Sequence, residues 1–441
     1  MRFFLFALLL SPVFLSARTI RVATYNVALS QSSENVLSSS LRTGTFAPAL
    51  SVAEVIQIMQ PDVLLINEFD FDAFGTGATR LNDRFFNVSQ NGRPAQDYPY
   101  RYVAESNTGL PSGFDLDNNG VTDTTPGDDS YGGDALGFGQ FPGQFGMAVF
   151  SKFPILTEEI RNFQEILWRD QPDNIIPPDF YSAEELAIFR LSSKSHWDLP
   201  IQVEGTTFHF LVSHPTPPVF DGAEDRNGRR NHDEIRLWSD YLTPGSAAYL
   251  GGGLPTGKRF VIAGDQNADP SRGDSVNAAI NQLLDHPRIN SSFIPQRTGA
   301  RTNTNQFDTA TFGLRVDYVL PSSLGFVVSD GAVFWPTGAQ EGADLVTVSD
   351  HRLVYLDLTL VPLIDEVVRG IHVKNELDRV YISWEGESNI LYQLEKTNNL
   401  ADPNWERTPD KSTIDQGGRH TFEVPPESDS TYYRIVASYL L

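Results

Sequence analysis

The chain has 441 residues, 40% of them hydrophobic, and no cysteine, so it can bury a large core but has no disulfide, no thiolate nucleophile and no thiolate zinc ligand. Lys and Arg number 33 against 56 Asp and Glu; the formal net charge of −23 repels polyanions, disfavours non-specific nucleic-acid binding and suits bound divalent cations. The length suggests two or three domains.

Arg2, the apolar run from Phe3 to Leu15 and the small pair Ser16-Ala17 read as an export signal over residues 1–17. The run is too short to span a bilayer, and no later segment is long and apolar enough, so a secreted or periplasmic protein without a membrane span is expected. A strand from Ile20 to Tyr25 follows, ending in Thr24-Tyr25-Asn26. Leu50 to Met59 carries apolar residues at helical spacing and precedes a strand from Asp62 to Ile66, which leads into Asn67-Glu68.

Residues 106–145 form a Gly- and Asp-rich insertion without periodicity. Within it Asp115, Asp117, Asn119 and Asp123 fall at the first, third, fifth and ninth positions of a calcium loop, with Gly120 at the sixth. The twelfth position is Pro126 instead of Glu, so the loop is not a complete EF-hand, and an Asx-rich surface turn is the alternative. A structural Ca2+ ion is the expectation for this segment.

The strand-like run Phe208 to Ser213 leads into His214-Pro215. The densest basic cluster of the chain, Asp225 to Arg236, comes next, and it offers Arg229, Arg230 and Asn231 as ligands for a substrate phosphate. A solvated helix start capped by Asn231 or Asp233 is the other reading, with a helix from Asp233 to Leu242. The strand Phe260 to Ala263 ends in Gly264-Asp265-Gln266-Asn267, and Ser275 to Leu284 reads as a short helix. Arg315-Val316-Asp317-Tyr318 and Ser349-Asp350-His351 each adjoin a further apolar strand. Residues 362–370 read as a linker. Short strands at Ile371–Lys374, Val380–Trp384, Leu391–Lys396, His420–Val424 and Tyr432–Ala437 then suggest a fibronectin-III-like sandwich over 371–441. Its aromatics read as core; glycan or cell-surface binding is the alternative.

Six polar motifs thus stand at strand ends, where a rigid frame can aim them into one cleft. A phosphoester resists hydrolysis because its anionic oxygens repel a nucleophile, so cleavage needs a cation on the phosphate, a base for water and help for the leaving oxygen. Oxygen donors favour magnesium, manganese or calcium. Asp265 and Asn267 lie two apart, so on extended backbone both would reach one small volume; Gly-Asp-x-Asn is also good turn chemistry. His214 and His351 can exchange protons near neutral pH. The other histidines show no zinc-type spacing.

The order Asn26, Glu68, His214, Asp265-x-Asn267, Asp317, Asp350-His351, together with the stretch Gly146 to Ile155, resembles the endonuclease/exonuclease/phosphatase superfamily, of deoxyribonuclease, sphingomyelinase and inositol-phosphatase type, over residues 19–361. The resemblance implies an α/β (α+β) four-layer sandwich, two packed sheets flanked by helices, over 18–361; periodicity alone leaves other α/β layouts open. It implies that Glu68, Asn26 and Asp350 hold a catalytic Mg2+ or Mn2+ and that Asp265 activates the attacking water. It further implies that Asn267 orients that water or a phosphate oxygen, that Asp317 fixes the tautomer of His351, and that His214 binds phosphate or assists the leaving group. The resulting expectation is a monomeric, exported phosphoesterase acting on phosphomono- or phosphodiesters. An extracellular nuclease, with nucleic acid met only as substrate, and a non-catalytic binding protein are the competing readings.

Overall fold

The computed structural model describes residues 18–300 and 305–361, and beyond them the strands 368–376, 379–386, 390–397, 406–407, 412–414, 419–424 and 432–439. The export signal at 1–17 and residues 362–367 of the expected linker lie outside the described residues. The chain divides into two compact units, one ending at Thr359 and one beginning at Leu360.

The first unit is built on β1 (Thr19–Asn26), β2 (Val63–Asn67), β3 (Tyr100–Tyr102), β4 (Met147–Ser151), β5 (Arg161–Asn162), β6 (His196–Val203), β7 (Thr206–Ser213), β8 (Phe260–Asp265), β9 (Gln296–Arg297), β10 (Asp317–Pro321), β11 (Phe326–Val333) and β12 (Val354–Leu360). One mixed sheet has the order β3-β4-β2-β1-β12-β11-β9, the other β10-β8-β7-β6-β5. Because side chains alternate faces along a strand, each sheet buries two sets of residues. In the first sheet Ala23, Tyr25, Leu64, Ile66, Ala148 and Phe150 pack against Val52, Ala53 and Ile56 of the helix Ala47–Met59. In the second, Leu211, Phe260, Ile262 and Tyr318 pack against Ile235, Trp238 and Tyr241 of the long helix Arg226–Leu242. The alternate residues, among them Val22, Val63, Leu65, Phe210, Val212 and Val261, are equally buried and belong to neither helix-facing cluster. They fill the space where β1 packs on β8 and β10. The result is the expected four-layer sandwich. Each such side chain contributes about 1.5–3 kcal/mol on burial, so the inter-sheet layer alone holds the two site-bearing sheets firmly in place.

Two helices differ from expectation. The long helix begins at Arg226 instead of Asp233. Asp221 accepts the Asn227 N–H at 2.6 Å and thereby satisfies a donor of the first turn, so the start lies upstream of the residues that resemble caps. Ser275 to Leu284 is a 3-10 turn, Val276–Ala278, followed by a single helical turn, Asn281–Leu284. Asn277 and Ala278 adopt left-handed φ of 50° and 49°, which interrupts the helix. The second unit is all β, with a four-stranded sheet of 368–376, 379–386, 419–424 and 412–414 and a three-stranded sheet of 406–407, 390–397 and 432–439. In it Trp384 is buried and stacks on Phe422 at 5.3 Å, as a core residue does.

Candidate active site

Strand register brings the motifs together. β1 and β2 run parallel with Asn26 opposite Asn67, and β8 and β10 run antiparallel with Asp265 opposite Asp317. Four motif residues therefore stand at strand termini, two per sheet: Asn26, Asn67 and Asp265 close their strands and Asp317 opens β10. Gly264 makes the approach possible: at φ 149° it lies where a Cβ would stand 2.0 Å from the Ser213 carbonyl oxygen. Glu68 leaves β2 in a left-handed conformation, φ 57°, which turns its carboxylate off the strand at a cost of roughly 1–2 kcal/mol.

The two sheets meet at Asn26. Its Nδ2 donates to Glu68 Oε1 at 3.0 Å and to Asp265 Oδ2 at 3.1 Å, so it marks a point where two acidic groups converge. Asp265 Oδ2 also lies 3.5 Å from His214 Nε2 and 3.6 Å from His351 Nε2. The other nitrogen of His351, Nδ1, is 3.0 Å from Asp317 Oδ2, and that oxygen accepts from Thr309 Oγ1 at 2.7 Å. Ser349 ties this end to β1: its hydroxyl donates to the Asn26 carbonyl at 2.8 Å and accepts the His351 N–H at 3.0 Å.

The electrostatics separate the two imidazoles. Burial alone would lower His351, but Asp317 and Asp265 beside it carry it up to about 10. Burial, then the nearby charges of Lys194 and His351, pushes His214 well below the ordinary histidine range, so it is neutral at pH 7. Burial holds Asp265 above the usual carboxylate range, opposed first by His351. Glu68 is raised by burial, with the Asn26 hydrogen bond opposing and Asp265 adding to the rise. Two titrating groups with pKa values pushed apart are the arrangement that acid–base chemistry requires.

Asn267 takes the turn and not the extended reading. β8 stops at Asp265, Asn267 has φ 52°, its N–H donates to Asp265 Oδ1 at 2.9 Å, and its amide donates to the Pro215 carbonyl at 3.1 Å. It links the Asp265 turn to the His214 turn. Asp350 is exposed; its charge helps raise His351, but among the described residues no hydrogen bond joins its carboxylate to Asn26 or Glu68. The Glu68 carboxylate is a hard oxygen donor and fits a divalent cation; Asn26 turns its Nδ2 to Glu68 and Asp265 while its Oδ1 accepts the Ala28 N–H at 3.2 Å, so its amide would have to rotate to add a second oxygen. Asp265, Asp317 and His351 also lie close enough together to hold an ion. There, however, the Asp317–His351 hydrogen bond already occupies the imidazole, and an acid–base pair is the better reading.

The basic cluster is turned inward. Arg230 is buried, and its guanidinium donates to the carbonyls of Leu191, Leu136 and Arg190 at 2.9, 2.6 and 2.8 Å. Arg229 donates to the carbonyls of Glu224 and Ile175 at 3.1 and 3.3 Å. Asn231, fully buried, donates to the carbonyls of Thr216 and Gln266 at 2.8 and 2.9 Å. These bonds satisfy backbone acceptors that would otherwise be buried without partners, and they make Arg229, Arg230 and Asn231 stitches around the site.

The cation that does stand beside Glu68, Asp265 and His214 is Lys194, which carried no sequence signal, being a single lysine in a serine-rich run ahead of β6. It is buried; burial lowers its pKa, while Glu234, Glu68 and Asp265 oppose the fall. In the insertion, Asp115 and Asp117 converge with Asp134, a residue the sequence reading left out. Asp134 lies at the end of the one-turn helix Tyr131–Asp134, and a Cβ on Gly133 would come 2.1 Å from Asp117 Oδ2. Asn119 and Asp123 face backbone N–H groups, Asn119 that of Val121 at 2.8 Å and Asp123 that of Ser130 at 3.1 Å.

Among solved structures, the chain resembles an endonuclease/exonuclease/phosphatase from Beutenbergia cavernae, at 16% identity over 96% of this chain and 94% of that one, with a TM-score of 0.47. It also resembles sphingomyelinase C from Streptomyces griseocarneus, at 16% identity over 77% and 99% of the two chains, with a TM-score of 0.40. The beta toxin of Staphylococcus aureus, solved with bound magnesium ions, matches at 14% identity over 77% and 99%, with a TM-score of 0.40. No curated protein sequence matches the chain. No helix among the described residues is long and apolar enough to cross a membrane. The strand-end residues from Asn26 to His351 lie inside the segment 23–351 that matches the family model, and the chain belongs to the Endonuclease/Exonuclease/phosphatase family, typically metal-dependent phosphoesterases and nucleases.

Proposed function

We propose that the chain is an exported, divalent-metal-dependent phosphoesterase that hydrolyses a small phosphomono- or phosphodiester by attack of water on phosphorus. The observation that carries this reading is the convergence of Asn26, His214 and His351 on one oxygen of Asp265. A water in reach of Asp265 would be oriented by Asn267 and give up its proton to Asp265. Neutral His214 donates a hydrogen bond to a phosphate oxygen, and the Lys194 ammonium, which burial disfavours and Glu234, Glu68 and Asp265 favour, lies on the same side. His351, held cationic by Asp317, stabilises the charge that develops as the leaving oxygen departs. A magnesium or manganese ion held by Glu68 and Asn26, with Asp350 at the rim, would supply Lewis-acid stabilisation of the phosphate.

The small-ester reading is supported by the inward commitment of Arg229 and Arg230, which removes the cations a nucleic-acid groove would need. A panel of 4-nitrophenyl phosphate, bis(4-nitrophenyl) phosphate, a phosphocholine ester and single- and double-stranded DNA, each with magnesium, manganese or calcium, tests it. Turnover of the small esters well above DNA is expected. Preference for DNA would make the chain a nuclease, and metal binding without turnover of any ester would make it a binding protein.

A structural calcium ion is proposed at Asp115 and Asp117, with Asp134 supplying the carboxylate that a complete EF-hand loop takes from its twelfth position. A saturating ion at a hundredfold excess over Kd would stabilise the fold by about 2.7 kcal/mol. Asp117→Ala is expected to remove most of the calcium-dependent rise in Tm while leaving the metal requirement of catalysis as it is. An undiminished rise in the variant would return the segment to an Asx-rich turn.

A further inference from the structure

We infer that the Glu234 carboxylate is a positioning group, which ties the backbone presenting Lys194 to the backbone presenting His214 and so sets the spacing of the two groups on the phosphate side of the site. The inference rests on the phosphoesterase reading above. Glu234 is fully buried on the long helix, and each of its oxygens takes one amide: Oε1 that of Ser193 and Oε2 that of Thr216, both at 2.6 Å. Ser193 immediately precedes Lys194, and Thr216 lies two residues past His214.

Neither presented residue belongs to a strand. β6 begins at His196 and β7 ends at Ser213, so sheet pairing does not fix the turns that carry Lys194 and His214. Other bonds complete the brace. Asn107 donates its N–H to the Lys194 carbonyl at 2.9 Å. Asn231, one turn before Glu234 on the same helical face, donates to Thr216 and Gln266, and Gln266 sits between Asp265 and Asn267. His196 Nε2 donates to the Glu234 carbonyl at 2.9 Å, which leaves Nδ1 to accept from Ser192 Oγ at 2.6 Å. The helix thus touches three site-bearing turns: the Glu234 side chain bridges the Lys194 and His214 turns, and the Asn231 side chain bridges the His214 and Asp265 turns. A carboxylate suits this place because both its oxygens accept; a glutamine would have to point an NH2 group at one of the two N–H donors.

The test compares Glu234→Gln, Lys194→Met and the double variant, with magnesium, by steady-state turnover of bis(4-nitrophenyl) phosphate, by calorimetric binding of inorganic phosphate and by melting temperature. A misplacement of a site group by about 1 Å can cost about 10²-fold, so Glu234→Gln is expected to lower kcat by about that factor. The loss in the double variant should be well below the product of the two single losses, because part of what Glu234 does is place Lys194, while its placement of His214 remains to be lost. A residue that merely supports the fold would lower Tm and its effect would multiply with that of Lys194→Met; that result overturns the inference. Glu234→Asp keeps the charge and both acceptors but is one methylene short, and it is the variant to read if the glutamine does not fold. An intermediate loss of kcat is expected, and unchanged kcat overturns the inference. If the wild type turns over none of the esters, the phosphoesterase reading fails by itself. Phosphate affinity then decides on Glu234, with about a tenfold weakening in Glu234→Gln expected and equal affinity overturning it.

Discussion

Asp265→Asn is expected to lower turnover by about 10²–10⁴-fold, the usual contribution of a positioned acid–base group, without lowering the melting temperature. The carboxylate is the point on which Asn26, His214 and His351 converge, and the amide keeps its shape but loses its basicity. The stability argument follows from its pKa, which burial holds above the ordinary value. A carboxyl raised in the folded state binds more protons folded than unfolded, so its ionisation costs stability as pH climbs through the window between the unfolded and folded values. At neutral pH the asparagine does not carry that cost. His351→Ala is expected to lose turnover on the same scale but with a fall in Tm, because it removes the cation standing between Asp317 and Asp265 and leaves two buried carboxylates without it. Steady-state kinetics, circular dichroism and thermal melts check both variants. Near-full activity in either one would remove that residue from the reaction.

Exhaustive chelation is expected to abolish turnover, and magnesium or manganese to restore it. A Lewis acid on a phosphate supplies several kcal/mol, and each 1.36 kcal/mol is tenfold in rate, so the loss should reach about 10³-fold or more. Glu68→Gln should shift the metal titration to higher concentration before it lowers the saturated rate, since it removes charge from the cation's donor set and not from the acid–base pair. Full turnover in a rigorously chelated enzyme would refute the metal-dependent reading.

Sequence reasoning reached the frame of this site because register is written in strand ends. Asn26, Asn67, Asp265 and Asp317 each close or open an apolar run, and alternation within those runs gives the buried faces. It did not reach residues whose role depends on contacts far along the chain. Arg230 has the chemistry of a phosphate ligand, yet three backbone carbonyls from two distant segments claim it. Lys194 has an unremarkable neighbourhood in sequence and becomes part of the site only because β6 lies beside β7. Asp134 is separated from Asp117 by a loop whose path no local pattern encodes. The start of the long helix was misplaced for a local reason: the Asp221 carboxylate caps it from outside the expected span.

The Asn26–Asp265 bond joins residues 239 apart in sequence and crosses from one sheet to the other. Its place in the fold makes it a late event in folding, since closing so long a loop is entropically slow and gains nothing until both sheets exist. Neither sheet alone carries a complete site: one ends in Asn26 and leads into Glu68, the other carries Asp265 and Asp317 and leads into His214. Refolding followed by far-ultraviolet circular dichroism should therefore run ahead of refolding followed by enzyme activity, and the lag between the two signals would time the docking of one sheet on the other.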